Sequence, residues 1–182
     1  MSRPRYRVHT ATRDDIDTVL NLLEARVGWL RARGSDQWST WLTWPAQLPD
    51  SIDRGEVILL YDGPDPVATM TVSTDGDTDF WTPAELAEPA LYVSKLATRP
   101  DLAGQELGKL LLDWSVGRAH ELGARFVRLD AWRSATELHD YYLKRGWHYV
   151  RTVYAPHRHS GTLFERPAEA LSHPSLVVDL PS

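Results

Sequence analysis

The chain has 182 residues, of which 42% are hydrophobic and 25% are charged, and its formal net charge is -5. This length fits one domain of roughly 100–200 residues, and the composition is that of a globular protein rather than a disordered one. The acidic balance argues against a general binder of nucleic acid or anionic membranes, because such a protein needs a basic surface.

The chain contains no cysteine, which excludes disulfides, thiolate zinc sites and a cysteine nucleophile. The first twelve residues include no apolar signal segment, and no apolar run approaches the roughly 18 residues that a membrane span needs. No spacing of His, Asp and Glu indicates a metal site. We therefore expect a cytoplasmic protein with no metal and with no membrane or nucleic-acid partner.

The first half of the chain predicts a strand, two helices and a β-hairpin. Thr12 and the acidic residues after it are typical of a helix start, and apolar residues then recur at helical spacing. The turn Asp62-Gly63-Pro64-Asp65 predicts the hairpin. The elements predicted here are a strand at 6–11, a helix to about 32, a Trp-rich helix over 37–52, and strands at 56–61 and 67–73.

The second half alternates predicted strands and helices. These are a strand at 90–98, a helix at 104–122, a strand at 125–132, a helix at 134–145, and strands at 147–154 and 162–165. Beyond residue 167 the pattern fades, so we expect one domain over 1–167 and a loosely structured tail over 168–182. The element order predicts an α/β fold with a mixed central sheet of about six to seven strands and about four helices.

The most informative stretch covers residues 96–112, where a strand ends in a Pro turn and a glycine-containing loop opens into a long helix. The start of a helix presents unpaired N–H groups and the positive end of the helix dipole. Glycine there lets an anionic ligand approach the backbone, so the stretch is typical of a pyrophosphate site. A plain strand-to-helix connection is the alternative. The G-x-G-x-x-G and P-loop fingerprints are both absent.

This stretch resembles the acetyl-CoA-binding motif of the GNAT superfamily (GCN5-related N-acetyltransferases), whose loop reads Q/R-x-x-G-x-G/A before a helix. Gly108 matches the last position of this motif, which is Gly or Ala. Glu106 stands where the motif has its first glycine, and Ala103 stands where the motif has Gln or Arg. The segment Leu96-Ala97-Thr98-Arg99-Pro100 is similar to the end of the family's fourth strand. The resemblance implies that acetyl-CoA contacts a set of cofactor-binding residues, namely Leu96, Ala97, Thr98, Ala103, Gly104, Gln105, Glu106, Leu107, Gly108, Lys109 and Ala135.

A second match lies at 129–147 and resembles the family's closing strand, helix and strand. Tyr142 stands four residues before Gly146, at the place of the family's general-acid tyrosine. Ala135 stands where an Asn often binds the cofactor arm. The resemblance therefore implies that Tyr142 is catalytic and protonates the departing sulfur, whereas a core tyrosine on an amphipathic helix is the alternative. Its neighbour Tyr141 is expected to point about 100° away.

The acceptor site is predicted in the Trp-rich half and at the sheet edge. Tryptophans there would stack on a flat or cationic acceptor, or would instead fill the core. Asp130 is a candidate anchor for the amine because it ends a central strand. The candidate acceptor residues are Trp38, Trp41, Asp130 and His157, beside Trp29, Trp44 and Trp81. The candidate general bases are Glu56, Asp130, Glu137, His139, His157 and His159, with ordered water as the alternative.

The resemblance implies an acetyl-CoA-dependent N-acetyltransferase that acts on a primary amine, most simply of a small molecule, by direct attack. Three alternatives stay open: a non-catalytic acyl-CoA-binding module, a protein or peptide N-acetyltransferase, and an unrelated α/β scaffold. The departures at Ala103, Glu106 and Ala135 favour the non-catalytic module, and Tyr142 argues against it. A homodimer also stays open, since the Trp-rich half would serve as a pocket or as a dimer surface.

Overall fold

A computed structural model describes residues 5–173 and 175–179, and these residues form eight strands and five α-helices. The strands are β1 (Tyr6–Thr10), β2 (Val57–Asp62), β3 (Asp65–Ser73), β4 (Ala90–Thr98), β5 (Phe126–Trp132), β6 (His148–Thr152), β7 (Ser160–Pro167) and β8 (Leu176–Asp179). The helices are α1 (Ile16–Ala32), α2 (Trp44–Asp53), α3 (Pro83–Leu86), α4 (Leu107–Glu121) and α5 (Thr136–Leu143).

The predicted mixed α/β sheet is confirmed, but it has eight strands rather than six to seven. The additional strand is β8, which pairs in parallel with β1 from Tyr6↔Leu176 to His9↔Asp179. The tail expected at 168–182 contains this short strand at residues 176–179. A four-residue strand with three apolar residues carries little local signal, and its partner lies at the other end of the chain. Residues 174 and 180–182 of that tail lie outside the described residues.

The Trp-rich helix begins later than predicted. A 3₁₀ turn covers Trp41–Thr43, and α2 follows it with Pro45 near its first position, where proline is compatible with a helix. Trp38 has a positive φ of 61°, which interrupts any helix before that turn. No helix within 5–173 and 175–179 combines the length and the apolar character needed to cross a membrane.

Two hydrophobic clusters cover the two faces of the sheet. Along β2, Ile58 and Leu60 belong to the cluster that contains α4, whereas Val57 and Leu59 belong to the cluster that contains α1 and α2. Successive strand residues point to opposite faces, so α4 lies on one face and α1 with α2 on the other. This arrangement explains why β2 is apolar without alternation.

The strands β4 and β5 separate part-way along the sheet, whose order is β6-β7-β5-β4-β3-β2-β1-β8. They pair in parallel from Ala90↔Phe126 to Tyr92↔Arg128 and no further. Both strands continue beyond this point, β4 to Thr98 and β5 to Trp132. Their carboxyl ends therefore form the two walls of an opening in the middle of the sheet.

A bulge in β4 lies just beyond the point of separation. Thr69 and Thr71 of β3 pair with Ala97 and Ser94, so β4 has one residue more than its partner in this interval. Lys95, within the bulge, has a φ of 50°. Because bulges bend a strand and redirect side chains, this one gives β4 a local course different from that of β5.

Candidate active site

A cleft of about 1610 Å³ lies where β4 and β5 separate. Its walls come from the end of α1, the segment before α2, the loop between β3 and β4, the loop before α4, helix α5 and the loop between β6 and β7. Ligands of open α/β sheets bind at the carboxyl ends of strands, and this cleft occupies that position.

Most of the site residues predicted from the sequence line this cleft. They are Trp38, Leu96, Thr98, Ala103, Gly104, Glu106, Leu107, Gly108, Asp130, Ala135, Tyr142 and His157. Trp29, Trp44 and Trp81 line it as well, so a large part of the Trp-rich region faces the cleft.

Four predicted site residues lie elsewhere. Ala97 is fully buried in the cluster beneath α1 and α2. Gln105 is exposed, and the Lys109 ammonium pairs with Asp113 one helical turn away. Trp41 opens the 3₁₀ turn before α2, and its indole nitrogen is buried without a hydrogen-bond partner among the described residues. These side chains therefore do not belong to the cleft wall.

The loop before α4 has the backbone geometry of an anion site. Gly104 has a φ of 87°, with open space where a Cβ would stand. Glu106 is the N-cap of α4, and no side chain caps the helix. The first N–H groups of α4 therefore remain available at the positive end of its dipole. This arrangement fits a phosphate group such as those of an acyl-CoA.

Glu106 occupies a backbone conformation that favours glycine. Its φ of 56° and ψ of 26° are left-handed, which costs an L-residue roughly 1–2 kcal/mol. Its carboxylate accepts a hydrogen bond from the Arg145 guanidinium at 3.2 Å, and that guanidinium lies 3.8 Å from the centre of the Tyr141 ring. Arg145 thus neutralises a charge that would otherwise repel a phosphate at the helix start.

We expect Glu106→Gly to bind CoA about fivefold more tightly than the wild type, because the substitution frees the Arg145 guanidinium beside the phosphate site. A unit charge pair 4 Å apart is worth roughly 1 kcal/mol in water. Stability should change little, since the relief of backbone strain offsets the loss of an exposed ion pair. Calorimetric titration with CoA measures the effect. Glu106→Gln is the matched control that removes the charge and keeps the side chain. If Glu106→Gln bound CoA no more tightly than wild type, the charge would not be the cause.

Tyr142 projects into the cleft from α5. It is 8% exposed, and its ring lies 5.3 Å from that of Phe164 and 5.8 Å from that of Trp147. Tyr142 is one of the residues that line the cleft. Burial raises the pKa of Tyr142, so the phenol stays protonated. Tyr142 is therefore a buried neutral hydroxyl that can donate a proton to a ligand.

Tyr141 also lines the cleft, although its position on α5 predicted that it would point elsewhere. Its hydroxyl lies 3.5 Å from the place that a Cβ on Gly108 would take. Adjacent helical residues are about 100° apart, and a cleft this wide accommodates both. Tyr141 faces the loop before α4, so the two tyrosines serve different parts of the site.

Asp130 and Lys95 bring opposite charges to the cleft. Burial raises the pKa of Asp130 and the charge of Asp77 adds to this shift, whereas a hydrogen bond with Ser160 and the Arg158 guanidinium oppose it. Burial lowers the pKa of Lys95, while the negative charge of Asp130 acts against that shift. Asp130 is therefore a better proton acceptor than an exposed aspartate.

Two of the acidic residues in the cleft are already engaged by protein donors. The Ser134 hydroxyl donates to Asp36 at 2.6 Å, and Arg158 pairs with Asp77. The charge of Asp77 is therefore compensated by Arg158, and the Asp36 carboxylate is held by a hydrogen bond. The described residues contain no group of three His, Cys, Asp or Glu arranged to hold a metal ion.

Four non-glycine residues among those described have a positive φ, and all four line the cleft. They are Trp38 at 61°, Lys95 at 50°, Glu106 at 56° and His157 at 61°. Such conformations cost energy and persist where the surrounding structure fixes them, commonly at ligand sites. Their location is independent support for a functional role of this cleft.

Comparison with known proteins agrees with the geometry. A sequence model described as the Acetyltransferase (GNAT) family matches residues 21–147. The chain therefore belongs to the GNAT acetyltransferase family. It is 28% identical over 145 residues to the uncharacterized N-acetyltransferase YesJ of Bacillus subtilis. This match covers 77% of this chain and 80% of that protein.

Solved structures share the fold. A GNAT-family acetyltransferase of Listeria monocytogenes superposes with a TM-score of 0.76 at 21% identity, over 89% of this chain and 94% of that one. The PaiA N-acetyltransferase of Thermoplasma acidophilum, in complex with coenzyme A, superposes with a TM-score of 0.68 at 15% identity, over 92% and 99%. At these identities the likeness establishes the fold of the chain.

Proposed function

We propose that this protein transfers the acetyl group of acetyl-CoA to the primary amine of a small molecule by direct attack. The observation that carries the proposal is the protonated phenol of Tyr142 in the same cleft as the uncapped start of α4. A proton donor and an anion site thus share one cavity. The coenzyme A in the PaiA structure supports the choice of donor.

The donor lies along the β4 side of the cleft. The backbone of Ala103 to Gly108 holds the pyrophosphate at the start of α4. The end of β4, at Leu96 and Thr98, receives the pantetheine arm, as the family resemblance implies. This portion of β4 lies beyond its last pair with β5, so its edge is free of that neighbouring strand.

The chemistry is a direct acyl transfer. The amine nitrogen attacks the thioester carbonyl, the carbon–sulfur bond breaks, and the products are an amide and a CoA thiol. Asp130 takes the proton that the amine loses, and Tyr142 gives its proton to the departing sulfur. A backbone N–H near Leu96 stabilises the oxyanion of the tetrahedral intermediate. The two protein groups thus supply the base and the acid.

Asp130→Asn should lower kcat/KM by about 10²-fold, within the usual contribution of a general base, and should at the same time raise the melting temperature at pH 7. The pKa of Asp130 is raised in the folded state, so ionisation of this carboxyl destabilises the fold as pH rises. Asn resembles the protonated form and avoids that cost. Thermal unfolding at pH 7 and pH 4 measures the increase in melting temperature over the wild type, and this increase should be smaller at pH 4.

Asp140→Asn makes the same chemical change on the exposed side of α5 and is the matched control. It should alter neither activity nor melting temperature. At each pH, the change in melting temperature is the value for Asp130→Asn minus that for the wild type. If this change were smaller at pH 7 than at pH 4, it would contradict a destabilising charge at this position.

The proposed function is tested by thermal unfolding with acetyl-CoA and CoA, followed by thiol release over a panel of amines. We expect stabilisation by both ligands and turnover with at least one small primary amine. The absence of stabilisation would refute the proposed donor. Stabilisation without turnover on small amines or peptides would support the non-catalytic acyl-CoA-binding module, which Glu106 at a glycine position favours.

A further inference from the structure

Three side chains from the end of α1 form a cationic cluster on the cleft wall: Arg26, Trp29 and Arg33. Their spacing of three and four residues places all of them on one face of the helix. The two guanidinium carbons lie 4.8 Å and 3.7 Å from the centre of the Trp29 ring. Both cations are therefore held against the same indole.

Neither cation of this cluster has a carboxylate partner among the described residues. The other arginines that line the cleft do: Arg128, Arg145 and Arg158 each pair with an Asp or a Glu. Burial, and then the positive charge of Arg33, lower the pKa of Arg26. The cluster thus carries uncompensated like charges that an anion would stabilise.

Arg26 is held in place by hydrogen bonds and still has N–H donors available for a ligand. Its Nη2 atom donates to the carbonyl and to the hydroxyl oxygen of Thr98, at the end of β4. A guanidinium has five N–H groups, and no acceptor within the described residues takes those on Nε and Nη1 of Arg26. Arg26 is thus ordered before a ligand arrives, so less entropy is lost when an anion binds.

The helix dipole alone does not explain this cluster. Cations are favourable in the last turn of a helix, and Arg31 occupies that turn as well. Both Arg31 and Arg33 are exposed, but Arg31 does not line the cleft, whereas Arg33 lies over Trp29 on the cleft wall. The dipole therefore accounts for basic residues here, but not for the approach of two of them to one ring.

We propose that Arg26 and Arg33 form an oxyanion subsite of the cleft, which binds a carboxylate or phosphate group of a ligand. The inference rests on the proposed function, which supplies two sources of the carboxylate or phosphate. One source is an amine acceptor that also bears an oxyanion, and the other is the 3′-phosphate of CoA. Paired guanidinium groups suit either group because they offer several N–H donors to one anion.

The test compares the wild type with Arg33→Gln and with Arg31→Gln, a matched control with the same change of charge on the same helix. Calorimetry measures the affinity for CoA, for 3′-dephospho-CoA and for inorganic phosphate. Steady-state kinetics compares amines with and without a carboxylate, namely tryptophan with tryptamine and tyrosine with tyramine. Melting temperatures confirm that each variant is folded.

We expect Arg33→Gln to lower the affinity or the kcat/KM for one set of ligands by about tenfold or more, since a hydrogen bond to a charged group contributes roughly 1.5–3 kcal/mol. A loss for the carboxylate-bearing amines alone identifies the acceptor as the source. A loss for CoA that is absent for 3′-dephospho-CoA identifies the cofactor phosphate. Inorganic phosphate binding that falls in Arg33→Gln supports the subsite even if no amine is acetylated. Equal behaviour of Arg33→Gln and Arg31→Gln in every titration would overturn it.

Discussion

Replacement of Tyr142 by phenylalanine should lower kcat by about 10²–10⁴, the usual contribution of a general acid. The substitution removes one hydroxyl from the cleft wall and keeps the aromatic ring. The ring contacts with Phe164 and Trp147 remain. The fold and the binding of CoA should therefore be unchanged while the chemical step slows.

Thiol release under saturating acetyl-CoA and amine measures this effect. Tyr154→Phe is the control, because Tyr154 is 79% exposed and lies outside the cleft. We expect Tyr154→Phe to match the wild type in rate and in melting temperature. A rate for Tyr142→Phe within about twofold of wild type would end the assignment of Tyr142 as the acid, because even a weak general acid contributes more.

Replacement of Arg128 by methionine should reduce the free energy of unfolding by about 3–5 kcal/mol, the usual cost of removing one partner of a buried ion pair. The Arg128 side chain is 2% exposed and pairs with Glu88 at 2.6 Å and Glu165 at 3.1 Å. It also donates to the Glu85 carbonyl at 2.6 Å and the Tyr92 hydroxyl at 3.3 Å. Methionine fills the space but removes the donor to Glu165 and to the Glu85 carbonyl, whereas Glu88 keeps its pair with Arg125.

Urea unfolding gives the stability, with Arg125→Met as the matched control. Arg125 pairs with the same Glu88, at 3.3 Å, but its side chain is 64% exposed. Surface pairs of this kind contribute about 0–1 kcal/mol, so the control should be close to wild type. Equal stabilities of the two variants would show that the buried network does not hold the β3–β4 loop. Asp75, Asp77 and Trp81 of that loop line the cleft, so activity should fall with stability.

The sequence predicted the elements that have strong local signals. The alternation of apolar residues, the turn at 62–65 and the glycine at 123 place the hairpin and the long helix close to their positions in the structure. The strand β8 was missed, because it pairs with β1 at the far end of the chain. Periodicity does not report such long-range pairing.

The site was predictable where a motif marks it and not where packing creates it. The family resemblance selected Tyr142 and the loop with Glu106, and both line the cleft. Lys95 was missed because its orientation depends on a β-bulge, which has no local signature in this strand. The pair Arg26 and Arg33 was also missed, although their helical spacing around Trp29 was visible in the sequence.

The most direct measurement of the central claim is acetyl transfer from ¹³C-acetyl-CoA, followed by mass spectrometry of the amine and by assay of the free thiol. If the cleft brings an amine to the thioester, each thiol released should correspond to one ¹³C-acetylated amine, and Tyr142→Phe should slow both equally. Thiol release without a labelled amide, or a labelled amide formed at the same rate without the enzyme, would contradict the account.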